Sequence, residues 1–189
     1  TEAPLAAIRL ARAYTGKDKL LKFEGHFHGM HEMTFFNCHT DTPPLKENGE
    51  VEVLADTAGI PKSLYSSVVI IPFNDPDAFL SAIKRHEHEL AAVIMEPVMY
   101  NSGCILPDKQ LVQLIREETK KRGIVLIFDE VLSGFRMCIG GGQEYLGVTP
   151  DLTTLAKALG GSGLPIAALT GKQEVMRYLT PEGPVVMSG

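Results

Sequence analysis

The sequence predicts a three-layer α/β fold, a mostly parallel sheet with helices on both faces. Two observations carry this. The strand-like runs, such as SVVIIPF, AAVIM and IVLIF, are apolar at successive positions, so both faces of each strand must be covered. They also alternate with segments whose apolar residues recur at the helical period, the pattern of parallel strands joined by crossover helices.

The elements follow in order. Leu5, Ile8, Leu10 and Ala11 recur near the helical period and Gly16 ends that segment. Residues 19–23 form a short strand. Residues 25–63 hold Gly25, Gly29, Pro43-Pro44 and Asn48-Gly49 and read as a long functional loop. A β-branched strand covers 67–73. A helix over 75–89 turns Ala78, Leu80 and Ile83 inward and Lys84, Arg85 and Glu87 outward. A strand at 91–95 closes on Glu96-Pro97. A helix at 108–122 places Leu111, Leu114 and Ile115 on one face, with Gly123 past its end. Strands at 124–128, 152–156 and 166–170 follow, then a helix starting at 172–179. No internal repeat or low-complexity tract interrupts the series.

Length and composition narrow the function. The 189 residues suffice for one domain with a core, and 44% hydrophobic against 22% charged residues is ordinary for a globular chain. A net charge of −5 and a pI near 5.7 argue against a nucleic-acid partner. No apolar run approaches the ~20 residues of a membrane span. The start TEAPLAAIRLARAYTG is an amphipathic helix rather than a signal peptide. Three scattered cysteines, Cys38, Cys104 and Cys138, suit reduced thiols and a cytoplasmic location. Both ends look cut, at a helix under way and at a strand-like PVVMSG, so the chain reads as the middle of a longer protein.

Chemistry concentrates between Asp129 and Lys157. One apolar run ends in Asp129-Glu130 and the next ends at Lys157, followed by Gly160-Gly161. Parallel sheets build sites at such strand ends. An acid and a lysine held there suit a Schiff base to pyridoxal 5′-phosphate (PLP), with the acid on the pyridine nitrogen.

The segments TEAPLAAIRLARAYTGKDKLLKFEGHFHG, EPVMYNSG, IFDEVLSGFR, GGGQEYLGVTPDLTTLAKALGG and LPIAALTGKQEVM, in this order, resemble the class III PLP-dependent aminotransferases, aminomutases included. The resemblance covers nearly the whole chain and weakens over 33–64. It implies the large domain of fold type I, here without its N-terminal segment and C-terminal small domain. It also implies a homodimer sharing its sites, with a small-molecule amino donor and acceptor. Lys157 matches the Schiff-base lysine and general base, and Asp129 the acid at the ring nitrogen. Val131 and Phe27 match the two residues that sandwich the ring. His28 belongs to the matching HG motif, and Asn101 matches the side chain near the ring hydroxyl. Thr1 matches the end of a phosphate cradle at a helix N-terminus. A second phosphate contact, a threonine from the partner subunit, would fall beyond Gly189. Two departures stand out: Phe27 replaces a frequent tyrosine, and Ser162 interrupts a glycine run.

Other readings remain open at this stage. His26, His28 and His31 could suggest a metal, but a fourth ligand at suitable spacing is missing and none is expected. Glu96 is as readily structural as catalytic, and Glu130 is as readily a helix cap as a support of the site. Gly140-Gly141-Gly142 lacks a GK[ST] ending and reads as a flexible turn. Cys104 and Cys138 read as packing residues, and His86 and His88 as a solvated face. Mutase, amine or β-amino-acid transaminase, and a catalytically inert dimerisation module all fit these residues.

Overall fold

The computed structural model describes residues 1–39, 43–161 and 163–187. Its elements are α1 (Glu2–Thr15), β1 (Lys19–Phe23), β2 (Val68–Ile71), α2 (Pro76–His86), β3 (Leu90–Met95), α3 (Lys109–Lys121), β4 (Val125–Asp129), α4 (Gly141–Leu146), β5 (Leu152–Leu155), β6 (Ala168–Gly171) and α5 (Gln173–Met176). Short 3-10 segments lie at Lys62–Ser67 and Lys157–Gly160. The six strands lie in the order β2-β1-β3-β4-β5-β6. All pairings are parallel except β5 with β6. The mostly parallel sheet expected from the sequence is the one found.

Period-two alternation sorts the strand residues into two cores. Leu21, Phe23, Val93, Met95, Leu126 and Phe128 face α2 and α3, against Phe79, Ile83, Leu111 and Ile115. Leu20, Ala92, Ile94, Val125, Ile127 and Leu152 face α1 and α5, against Ile8, Leu10 and Val175. Asp129 continues the series Val125, Ile127, so its side chain belongs to the α1 face. That parity decides where the acid meets the rest of the site.

Local signals explain the helix starts. Asp75 caps α2 by accepting from Ala78 N–H at 2.8 Å, with Pro76 as the first helical residue. Asp108 caps α3 by accepting from Gln110 N–H at 2.8 Å. Helix α2 ends at His86, short of 89, because Glu89 N–H turns back to His86 C=O and Leu90 already pairs in β3. Ala78 and Ile83 are buried as expected, but Phe79 is also turned inward, fully buried, while Leu80 is exposed. Burying Phe79 contributes roughly 2–3 kcal/mol. Strand β2 is shorter than 67–73 because the preceding residues wind into a 3-10 segment, and α5 stops at Met176.

The long loop after β1 is anchored from beneath by Lys22. This lysine is fully buried, and its Nζ donates to Thr34 C=O at 3.4 Å, to Phe36 C=O and to Cys38 Sγ at 3.4 Å. Burial lowers its pKa and raises that of the Cys38 thiol to about 11. The loop then covers the edge of β2, where Phe36 and Val51 pack on Val68 and Ile70.

Candidate active site

The order in which strands are added to the sheet reverses between β1 and β3, and a cleft of about 130 Å³ opens beyond the carboxyl ends of the strands. It is lined by Phe27, His28 and Gly29 after β1, Glu96 after β3, Asp129, Val131 and Leu132 at the end of β4, Lys157 after β5, and Thr1 and Pro4 of α1. Six of the seven residues singled out in the sequence therefore meet in one place. Asn101 does not: it is exposed in a turn closed by Met99 and Ile105, which bond each other's backbones. Ser162 lies outside the described residues.

Asp129 is buried and held on three sides. Its Oδ1 accepts from Thr154 Oγ1 at 3.0 Å and from Val131 N–H at 3.2 Å, and its Oδ2 meets His28 Nδ1 at 2.9 Å. His28 is fully buried; desolvation lowers its pKa, against the opposing pull of Asp129. The ring is therefore neutral, with its proton on Nδ1 facing the carboxylate. Lys157 begins a 3-10 segment at φ 48°, a left-handed conformation uncommon for a side-chain-bearing residue. Such backbone strain concentrates where a side chain must be aimed.

The N-terminus of α1 closes one end of the cleft. Gly29 permits this approach: a Cβ there would lie 2.7 Å from Thr1 Cα, and its φ of 93° disfavours other residues. Thr1 Oγ1 accepts from Met30 N–H at 3.3 Å.

Two carboxylates outside the six organise the walls. Glu96 Oε1 accepts from Phe27 N–H at 2.7 Å, so the acid ending β3 seats the aromatic wall. Burial, reinforced by the charge of Asp129, raises its pKa to about 7. Its cue in the sequence was a carboxylate at the end of an all-apolar strand. Glu130, also buried, accepts from Ser133 Oγ at 3.0 Å and from the N–H groups of Gly142 and Gln143. The triple glycine is thus no flexible turn: it opens α4 and wraps Glu130. A Cβ on Gly141 would lie 2.3 Å from Glu130 Oε2.

Other expectations need correction. Cys104 is exposed and Cys138 half-buried, so neither is a core packing residue. His88 is exposed, but His86 is mostly covered and faces Glu50 at 3.0 Å and Glu89 at 3.3 Å. Among the described residues no group of three or more His, Cys, Asp or Glu could hold a metal. His26, His28 and His31 are engaged with Glu96 N–H, Asp129 and Thr34 Oγ1 respectively. No described helix is long and apolar enough to cross a membrane.

This fold is shared with solved transaminases. The ω-transaminase from Sphaerobacter thermophilus superposes with a TM-score of 0.91 at 42% identity, over 96% of this chain and 41% of that one. A transaminase described as PLP-bound gives 0.86 at 31% identity, over 100% and 44%. A glutamate-1-semialdehyde aminomutase from Pseudomonas aeruginosa, in complex with PMP, gives 0.77 at 25% identity, over 93% and 37%. The chain belongs to the class-III aminotransferase family, whose profile matches residues 1–186. Among curated relatives, the glutamate-1-semialdehyde 2,1-aminomutase of Methanococcus maripaludis is 47% identical over 189 residues. That match takes in 100% of this chain and 42% of the relative's length.

Proposed function

We propose that the chain forms the PLP-binding large domain of an enzyme that transfers an amino group on an amino acid or amino aldehyde, as glutamate-1-semialdehyde 2,1-aminomutase does. The observation that carries this is the cleft itself. It joins a buried carboxylate, a lysine in a left-handed conformation, two flanking apolar walls and the N-terminus of a 14-residue helix.

These residues fit PLP. Asp129 would meet the pyridine nitrogen, Phe27 and Val131 the two ring faces, Lys157 the aldehyde, and the first turn of α1 at Thr1 the phosphate. When bound, PLP supplies an aldehyde that condenses with amines and a protonated ring that stabilises negative charge on the substrate α-carbon. The chain's own residues do the rest. Asp129, held by Thr154, Val131 N–H and His28, keeps a negative charge in place for the ring nitrogen. Lys157 Nζ would take and return the α-proton of the substrate. Phe27, seated by Glu96, keeps water off the ring face.

Visible absorption after PLP addition and dialysis tests this reading. The chain should retain a yellow band that Lys157→Ala lacks. A wild-type chain without a band would refute it, leaving the inert-module reading. The likeness to an ω-transaminase supports a second reading, a transaminase of the same class acting on amines or β-amino acids. A mutase moves the amino group within one molecule, whereas a transaminase needs a separate acceptor, so acceptor dependence separates the two. Exposed Ile139, Leu164 and Ile166 support a homodimer, and the unpaired cysteines support a cytoplasmic location.

A further inference from the structure

Three buried polar atoms beneath the cleft have no partner among the described residues: His26 Nε2, His28 Nε2 and Glu96 Oε2. Their hydrogen-bonding roles follow from the bonds their neighbours make. His26 Nδ1 accepts from Glu96 N–H at 2.9 Å, so the neutral ring carries its proton on Nε2, a donor. His28 gives its Nδ1 proton to Asp129, so its Nε2 is an acceptor. Glu96 commits Oε1 to Phe27 N–H, which leaves Oε2 an acceptor when the carboxyl is ionised and a donor when it holds its proton. The His26 ring cannot easily turn to escape this: Phe73 meets it edge-on at 4.5 Å and Phe23 lies at 5.4 Å. The two histidine rings are 6.0 Å apart between centroids, and both are fully buried.

We propose that one buried water joins these three groups, and that Glu96 and His26 thereby act as positioning residues for Asp129. With Glu96 ionised, one donor and two acceptors match a water that accepts once and donates twice; with Glu96 protonated, two donors and one acceptor match a water that accepts twice and donates once. A cation is repelled by the His26 N–H, and an anion by the lone pair of His28 Nε2. The water links Glu96 to His28, and His28 holds Asp129 Oδ2. The charged and titratable groups around Glu96 in this network are Lys22 of β1, His26, His28 and Asp129 of β4. The water rests on the three orphaned atoms and the hydrogen-bonding roles of their neighbours, while its bearing on catalysis rests on the PLP reading above.

Two measurements on the cofactor-free chain decide the water. A high-resolution crystal structure should show one water at about 3 Å from all three atoms. A dry site, or a water touching fewer than three, would overturn the proposal. Nitrogen NMR should find the Nε2–H form of His26 and the Nδ1–H form of His28, and the opposite form of either ring would overturn it too. The positioning role is read from the visible band of the PLP-loaded chain across pH. Glu96→Gln should move its midpoint by about one pH unit, and an unmoved midpoint would remove that role. A chain that takes up no PLP would refute the cofactor reading, while the crystal and NMR results would still judge the water.

Discussion

Glu96→Gln also has a consequence for stability that the structure sizes directly. Glu96 is 3% exposed, and its pKa is raised from 4.5 to about 7, first by burial and then by Asp129. Between those values the folded chain keeps a proton that the unfolded chain has released. Stability from this group is therefore fully present below pH 4.5 and is lost as pH rises through 7. At about 1.4 kcal/mol per pH unit, the loss is about 3 kcal/mol, a large share of a typical folding free energy of about 5–15 kcal/mol. Glutamine has the same shape, cannot ionise and still accepts from Phe27 N–H. Urea denaturation of both proteins from pH 4 to 8.5 gives their stability difference, in which the titrations of other residues largely cancel. That difference should shift by about 3 kcal/mol in favour of the variant between pH 4.5 and 8. A difference independent of pH would refute the argument that Glu96 is desolvated and protonated in the fold.

Other perturbations test neighbouring parts of the site. His31, pulled down to about 4 chiefly by burial, carries the opposite sign. Its unfolded form binds the extra proton, so relative to His31→Gln the wild type should gain about 3 kcal/mol as pH rises from 4 to 6.5, read by the same denaturation series. Glu130→Ala strands the N–H groups of Gly142 and Gln143 and the Ser133 hydroxyl. It should cost about 3 kcal/mol or more in chemical denaturation, with Glu130→Gln milder. Gly142→Ala would set a Cβ 2.4 Å from Pro97 Cβ. A loss of about 1–3 kcal/mol is expected, visible as a lower thermal midpoint.

The strands and the amphipathic helices were legible because a buried parallel sheet imposes its own signature, apolar residues at successive positions. The pair Asp129 and Lys157 was legible for a related reason. Each is a charged side chain ending an apolar run, and the ends of such runs lie along one edge of the sheet. What a run does not reveal is which face each residue takes. Asp129 shares the α1 face only because β4 is in register with β3 and β5. Helix α2 looked able to bury Leu80, yet a small rotation buries Phe79 instead.

Local sequence determined the element types, the caps at Asp75 and Asp108, and which acid and lysine to compare. Only the tertiary structure decided the strand order, the reversed β6, the seating of Phe27 by Glu96 and the exposure of Asn101. It also decided the burial of Lys22 and the wrapping of Glu130 by the triple glycine. These depend on contacts between residues distant along the chain, such as His28 with Asp129 and Phe27 with Glu96. A hydrogen bond between such residues leaves no periodicity in the sequence, because nothing in either segment's local pattern reflects its partner.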